Sequence, residues 1–217
     1  MKILLLTLII AIQIITIKFG HISLNCQYLG LMSRTNEQLL SESMYYISCK
    51  GDDSTSFFDL RDDYINFLTR YQNTLSPLSD TFAYCLTPSQ IHLLVRFKNA
   101  RLAAKTNRAF KTLSVEQMKR QNLENLKRVL PSKAIKYLSI KEVTKVENHK
   151  DVIHLIHAKP VSGGFIKTMS RWEFSSYRAY ITGKTDTINR EEGLNWFGGT
   201  EEFLQFHRNH KLSSFQI

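Results

Sequence analysis

Hydrophobic and polar residues follow two different periods along the chain, and each period predicts one kind of element. Two runs rich in β-branched and aromatic residues, 81–86 and 92–97, flank a Thr-Pro-Ser-Gln turn and predict an antiparallel hairpin. A similar run at 45–49 predicts an earlier strand, which ends at the turn signal Gly-Asp-Asp over 51–53. Between them, apolar residues every three or four positions over 62–75 predict an amphipathic helix.

The second half of the chain has mainly helical signals. The predicted elements, in order, are a helix over 102–113, a helix from a capping box at Ser114 and Gln117 to Leu130, an extended segment over 135–146, a helix from Asn148 that stops at Pro160, a short helix over 175–180, and two helices with N-caps at Asn189 and Thr200. Strands in hairpins mixed with helices predict an α+β fold, an antiparallel sheet with helices on one face plus C-terminal helices.

Composition narrows the class of protein. Hydrophobic residues make up 43% and charged residues 22% of the 217 residues, which is typical of one globular domain with appendages and excludes wholesale disorder. The three cysteines, Cys26, Cys49 and Cys85, include no CxxC pair, so neither a disulfide framework nor a zinc ribbon is supported. Cys49 and Cys85 lie in predicted strands and are expected to be small buried hydrophobes.

The charge of the chain is concentrated in one segment. The sequence has 29 Lys and Arg against 19 Asp and Glu, a formal net charge of +10. Between Arg96 and Lys150 there are 15 basic and 4 acidic residues, whereas the rest of the chain has 14 and 15. A solvated helical face is the ordinary explanation of scattered basic residues. Here the excess is local and nearly unopposed, which favours a polyanionic partner, either nucleic acid or an anionic membrane.

The N-terminus begins with an apolar stretch. Residues 3–17 form a 15-residue run behind Lys2, shorter than a comfortable bilayer span and similar in length to the core of a signal peptide. No clear cleavage site follows it. Residues 1–31 are therefore either an export or anchor segment or sequence upstream of a true start at Met32 or Met44. The first interpretation predicts a membrane-bound or exported protein, and the second predicts a cytoplasmic one.

Five stretches, in order along the chain, resemble one family. The stretch Asp80–Lys98 (DTFAYCLTPSQIHLLVRFK) is similar to the central hairpin of the single-tyrosine HUH transposases, the insertion-sequence-200-like and REP-associated branch. The other four stretches are Tyr45–Asp53, Leu155–Ile166, Arg171–Gly183 and Asn189–His207. Together they span most of the chain, and the resemblance implies a ferredoxin-like α+β domain.

The resemblance also implies a chemistry. In this family a Tyr hydroxyl attacks a phosphate of single-stranded DNA and forms a 5′-phosphotyrosine. Two His residues and a polar residue four positions after the Tyr hold a divalent ion, Mg²⁺ or Mn²⁺, which polarises the phosphate. His residues two apart on a strand share one face, and residues four apart on a helix do the same, so this spacing brings the groups together.

This sequence departs from the family pattern at three of those four positions. The first His is Gln90, the second is kept as His92, the Tyr position is Leu155, and the last ligand is Lys159. Leu has no nucleophilic atom and an ammonium group is only a donor, so the resemblance implies a degenerate member without strand transfer. His92 with Gln90 makes a thin metal site. Lys159 is expected either to replace part of the ion's charge in holding a DNA phosphate or to complement the helix dipole.

Several other side chains have two interpretations each. The predicted DNA-binding residues are all basic: Arg96, Lys98, Arg101, Lys105, Arg108, Lys111 and Lys159. Tyr137 is either a displaced nucleophile or a packing residue. Four aromatic residues are either base-stacking platforms or core: Trp172, Tyr177, Trp196 and Phe197. Four histidines three apart in pairs are either metal ligands or structural: His154 with His157 and His207 with His210.

We therefore expect residues 32–183 to form a DNA-binding domain and residues 184–217 to form a helical tail. The predicted partner is single-stranded or hairpin DNA, with a homodimer also open and a membrane involved only if the leader is genuine. Two other functions stay open: an active transposase that uses another Tyr, and a membrane-anchored protein that keeps only the fold.

Overall fold

The structure is a computed structural model that describes most of the chain after the leader. It covers residues 42–52, 54–98, 115–145, 147–184 and 187–210. The leader predicted over 1–31 and the helix predicted over 102–113 lie outside these residues.

The described strands form one antiparallel sheet. The four strands are β1 (Met44–Lys50), β2 (Ser79–Thr87), β3 (Gln90–Phe97) and β4 (Leu138–Glu142). Their order across the sheet is β2-β3-β1-β4, and every neighbouring pair is antiparallel. One described helix lies between β1 and β2 and two lie between β3 and β4, so the order and connections of the strands are ferredoxin-like.

Seven α-helices and one 3-10 helix, Met169–Arg171, accompany the sheet in the described residues. The α-helices are α1 (Arg61–Thr74), α2 (Val115–Val129), α3 (Ser132–Ile135), α4 (Asn148–Ser162), α5 (Tyr177–Thr182), α6 (Arg190–Phe197) and α7 (Thr200–Asn209). Helices α1 and α2 cover one face of the sheet, and the C-terminal helices α4 to α7 pack on the other. The predicted α+β class is therefore confirmed.

The two central strands are apolar on both faces because both faces are covered. Odd-numbered residues of β1 and β3 join the core under α1 and α2, and even-numbered residues join the core under the C-terminal helices. Tyr45 and Ile47, for example, contribute to the first core, and Tyr46 and Leu94 to the second. This double burial explains why β1 and β3 have nearly continuous hydrophobic runs instead of a strict alternation. Phe203 of α7 lies in the second core, so the predicted tail completes that layer.

Helix α4 does not stop at Pro160, as predicted, but ends at Ser162. A proline lacks a backbone N–H and removes one hydrogen bond, yet the residues after it still donate to the preceding turn. The amide of Gly163 donates to the Lys159 carbonyl at 2.9 Å. Because the helix continues, Lys159 lies within its last turn and is held against the sheet.

The helix ends depend on glycine and asparagine. The Asn189 side chain accepts a hydrogen bond from the Glu192 amide, which confirms the predicted cap of α6. The predicted cap at Thr200 is wrong, because the N-cap of α7 is Gly199. The φ angle of Gly199 is 133°, a conformation that favours glycine.

The segment 135–146 is predicted to be extended, but only part of it, β4, is a strand. Its first residue, Ile135, is the last residue of α3.

Candidate functional site

The site that the family resemblance singles out lies on the sheet face under α4, around His92. This histidine is 2% exposed. Its Nδ1 lies 2.7 Å from the Tyr46 hydroxyl, and its Nε2 lies 2.9 Å from Oε1 of Gln90. A neutral imidazole has one donor and one acceptor, so we assign Nε2–H as the donor to Gln90 and the Tyr46 hydroxyl as the donor to Nδ1. Both ring nitrogens of His92 are then engaged.

This histidine is neutral at physiological pH. Burial lowers the pKa of His92 to about 3, and the nearby ammonium groups of Lys159 and Lys50 disfavour its cationic form further. Burial also raises the pKa of Tyr46 to about 12, so the phenol keeps its proton. The Tyr46–His92–Gln90 chain is therefore an uncharged hydrogen-bonded unit.

The sheet register places further polar residues beside His92. Gln90 pairs with Lys50 on β1 and with Thr87 on β2. Residues directly opposite each other on antiparallel strands have their side chains on the same face. Lys50, Gln90 and Thr87 therefore form a row across three strands. Because Gln90 is two residues from His92, this row faces α4 as His92 does.

Helix α4 brings Lys159 to the same place. Its side chain is half-buried, and burial lowers its pKa, with the like charge of Lys50 adding to the effect and the Cys85 thiol opposing it. Within the described residues, neither Lys159 nor Lys50 is ion-paired with a carboxylate. Leu155 lies one turn earlier on α4 and packs against the second core. The site thus combines two ammonium groups with neutral donors.

The residues present do not fit a divalent cation. Nδ1 of His92 already accepts from Tyr46, and Gln90 Oε1 already accepts from His92. Lys159 adds positive charge where the resemblance places a ligand, and Lys50 adds more. In the described part of the chain, no three His, Cys, Asp or Glu side chains are grouped so as to hold a metal ion. The thin Mg²⁺ or Mn²⁺ site predicted at His92 and Gln90 is therefore electrostatically unfavourable.

Two of the basic residues predicted to bind DNA face carboxylates instead. Arg96 lies 2.8 Å from Asp80 and 2.7 Å from Glu192, and the Lys98 ammonium lies 3.7 Å from Asp80. Arg96 is four residues from His92 along β3, roughly 13 Å at the usual strand rise, so the structure keeps it apart from the site. Of the remaining predicted DNA-binding residues, Lys159 lies at the site around His92. The last four lie outside the described residues: Arg101, Lys105, Arg108 and Lys111.

Tyr137 has a packed ring and an engaged hydroxyl. Its hydroxyl donates to Oδ2 of Asp52 at 2.6 Å, and the Thr55 hydroxyl donates to Oδ1 of the same carboxylate at 2.6 Å. These hydrogen bonds hold the pKa of Asp52 far below its usual range. The Tyr137 ring packs against the core under α1 and α2, on the other sheet face from His92.

Three of the four histidines singled out by spacing are buried together between α4 and α7. His157 is hydrogen-bonded through Nε2 to the Ser176 hydroxyl at 2.8 Å and through Nδ1 to His207 at 3.1 Å. The His154 ring centre lies 4.9 Å from that of His207. His210 lies at the edge of this group, 3.3 Å from Asp151. These contacts support the structural interpretation of the cluster.

Of the aromatic residues considered for base stacking, Tyr177 and Phe197 are buried in the second core, and Trp172 and Trp196 pack against it. The sequence reasoning missed Phe165, which follows α4 and is 46% exposed. Its ring centre lies 5.6 Å from that of Trp172. A bulky aromatic residue next to a glycine pair was the only available signal.

No protein-family model and no curated protein matches this sequence. A solved structure of a REP-associated tyrosine transposase bound to a REP hairpin is similar, with 12% sequence identity and a TM-score of 0.46. The match covers 72% of this chain and 90% of that chain.

Proposed function

We propose that this protein binds single-stranded or hairpin DNA and does not carry out strand transfer. The observation that carries the proposal is the pair of ammonium groups, Lys50 and Lys159, which lie beside a neutral His92 without a carboxylate partner in the described residues. Such a site attracts a phosphate group and repels a divalent cation. The basic excess over 96–150 adds a longer-range attraction for the same polyanion.

The side chains around this site are poor nucleophiles. The position that the resemblance assigns to the catalytic Tyr is Leu155, a hydrocarbon. Burial raises the pKa values of the Tyr46 hydroxyl and the Cys85 thiol to about 12 each, so both stay protonated near neutral pH. A protonated, buried hydroxyl or thiol attacks a phosphodiester poorly, which supports binding without cleavage.

An exposed aromatic ring favours a single-stranded partner. Phe165 lies just beyond the end of α4 that carries Lys159, and its amide donates to the Pro160 carbonyl at 3.0 Å. Unpaired bases stack on exposed aromatic rings regardless of sequence, whereas the bases of a duplex are already stacked on each other. Phe165 therefore supplies a platform for a base next to a site for a phosphate.

A second candidate function is strand cleavage through Tyr137. The Asp52 carboxylate accepts a hydrogen bond from the Tyr137 hydroxyl at 2.6 Å, the contact a general base makes, but its lowered pKa makes it a weak base. The two side chains lie near the cation of Lys136, which is 4.6 Å from the Tyr137 ring. Tyr137 packs on the opposite sheet face from His92, however, so this candidate requires a reaction centre separate from the His92 site.

A membrane-anchored function would depend on the leader, residues 1–31. None of the helices in the described ranges is both long and apolar enough to cross a bilayer. We propose residues 32–183 as the DNA-binding part of the chain and residues 184–217 as a helical tail, in which α6 and α7 contribute Leu194 and Phe203 to the second core.

The test uses the full chain with an end-labelled single-stranded hairpin oligonucleotide, incubated with Mg²⁺, Mn²⁺ or EDTA. On a native gel we expect a shift in all three conditions that weakens as salt rises, because phosphate contacts release counterions. On a denaturing gel we expect neither a shortened strand nor a covalent protein–DNA band.

Each other outcome has a definite meaning. Absence of any shift would overturn DNA binding. A shortened strand or covalent band would overturn the loss of cleavage, and the Tyr137→Phe variant would then decide the second candidate. Loss of the product in that variant, with the native-gel shift unchanged, would assign the chemistry to Tyr137.

A further inference from the structure

We infer that Lys50, Lys159, Gln90 and Thr87 together form a site for one phosphate group of the DNA backbone, in the place where the family resemblance puts a metal ion. The inference rests on the proposed function and adds to it a defined set of donors. Two of these residues, Lys50 and Thr87, come from the sheet register.

The Thr87 hydroxyl is buried and lacks a hydrogen-bond partner in the described residues. Thr87 is 1% exposed. Leaving a buried hydroxyl unpaired costs about 1–3 kcal/mol, so an acceptor that reaches the Thr87 hydroxyl is bound favourably. A phosphate oxygen is an acceptor of the right kind. Thr87 lies directly opposite Gln90 in the hairpin, on the face under α4.

The Gln90 amide is oriented by its hydrogen bond to His92. Its Oε1 accepts from His92 at 2.9 Å, which leaves the two N–H donors of the amide nitrogen for another group. Tyr46 holds the other side of the same imidazole at 2.7 Å. His92 is thus a positioning residue that turns Gln90 into a donor.

The site has two positive charges, the ammonium groups of Lys50 and Lys159. Lys159 is half-buried, and the like charge of Lys50 is close enough to disfavour its ammonium form. Lys159 loses solvation on burial and is repelled by the charge of the exposed Lys50, and neither has a carboxylate partner in the described residues. A bound anion relieves both costs. An anion also strengthens its hydrogen bonds to ammonium groups when water is partly excluded.

The first experiment compares oligonucleotide affinities of full-length variants by fluorescence anisotropy. Lys50→Met and Lys159→Met keep the aliphatic stem and remove the charge, and Lys184→Met is the control because Lys184 is exposed and outside the basic segment. We expect each site variant to bind about tenfold more weakly, the loss of one charged hydrogen bond. We expect the slope of log K against log salt concentration to become less steep by about 0.7, the value for one single-strand phosphate, in each single variant. The double variant is expected to show the same change, because both lysines contact the same phosphate. The control is expected to match the wild type.

The second experiment uses inorganic phosphate alone as the probe. Protein labelled with ¹³C at the lysine ε-carbons is titrated with phosphate at constant pH and ionic strength. We expect the Lys50 and Lys159 resonances to shift together and saturate, and the Lys184 resonance to stay in place. In the Thr87→Val variant, which removes the hydroxyl and keeps the shape, we expect saturation at a several-fold higher phosphate concentration.

The two experiments separate failure of the site from failure of the proposed function. Wild-type binding to DNA with unchanged affinity and salt slope in the double variant would overturn the site and leave DNA binding intact. Saturable phosphate shifts without DNA binding would support the site and overturn the proposed function. Thermal melts of each variant check folding; because Lys159 is a half-buried charge, Lys159→Met is expected to melt at the wild-type temperature or above.

Discussion

Replacing Phe203 with alanine is expected to destabilise the protein by about 3–5 kcal/mol, the usual cost of removing a large aromatic side chain from a closed core. Phe203 is 0% exposed. Its ring centre lies 4.0 Å from that of His207, 4.7 Å from that of Tyr180 and 4.9 Å from that of Phe197. Helices α4 to α7 meet around this ring, so the cavity cannot close without moving several of them.

Urea unfolding at pH 7 measures this loss as a change in the free energy of unfolding. Phe165→Ala is the matched control, because the same side chain is removed from an exposed position, and we expect a loss below about 1 kcal/mol. Equal losses in the two variants would show that the C-terminal helices contribute no more to stability than a surface ring does.

Acidification is expected to unfold the protein steeply below about pH 6. Burial lowers the pKa values of His92 and His207 to about 3 and that of His154 to about 4, and it lowers the pKa of His157 well below its usual value. In the unfolded chain these groups titrate near pH 6.5. The unfolded state therefore binds protons first as the pH falls, and stability that is present above pH 6.5 is lost below it.

The size of this effect follows from proton linkage. Each histidine that stays neutral in the folded protein lowers the free energy of unfolding by slightly more than about 1 kcal/mol between pH 6 and pH 5. The four together lower it by about 4–5 kcal/mol over that interval. Between pH 8 and pH 7 the change is below about 1 kcal/mol. Urea unfolding at each pH measures the profile; a flat profile between pH 6 and pH 5 would contradict the neutral, buried state of these residues.

The His154→Phe variant provides a control for the acid effect. Nδ1 of His154 is buried without a hydrogen-bond partner in the described residues, and the side chain has one hydrogen bond to the His210 backbone. Its other contacts include edge-on ring contacts with Phe206 and His207. A phenyl ring keeps those contacts and does not titrate. We expect a loss of about 1 kcal/mol at pH 7.5, the usual net value of one hydrogen bond, and a pH dependence reduced by about one quarter.

Much of the secondary structure could be predicted because its signals are local. The hairpin β2–β3 has a Pro-Ser turn between two apolar runs, and α6 has an Asn189 side chain that caps its own helix. Local rules failed where packing decides the outcome. Helix α4 continues past Pro160 because the residues around it are buried against the sheet, and that contact offsets the lost hydrogen bond.

The candidate site was only partly predictable. His92, Gln90 and Lys159 were found through a resemblance to a family, on the positions of its motif. Lys50 gave no signal of its own, since a lysine at the end of a strand is common. Its place beside Gln90 follows from the pairing register, and a shift of one residue would turn Lys50 to the other face of the sheet.

The sequence by itself determined the α+β class, the position of the hairpin, the basic excess over 96–150 and the absence of a Tyr at position 155. These are properties of periodicity, composition and residue identity, which need no partner elsewhere in the chain. Only the tertiary structure decided that Arg96 is paired with Asp80 and Glu192, whereas Lys50 and Lys159 meet beside a neutral His92. These ion pairs and pKa shifts depend on burial and on distances between residues that are remote in sequence. Neither is defined until the sheet and its helices have packed.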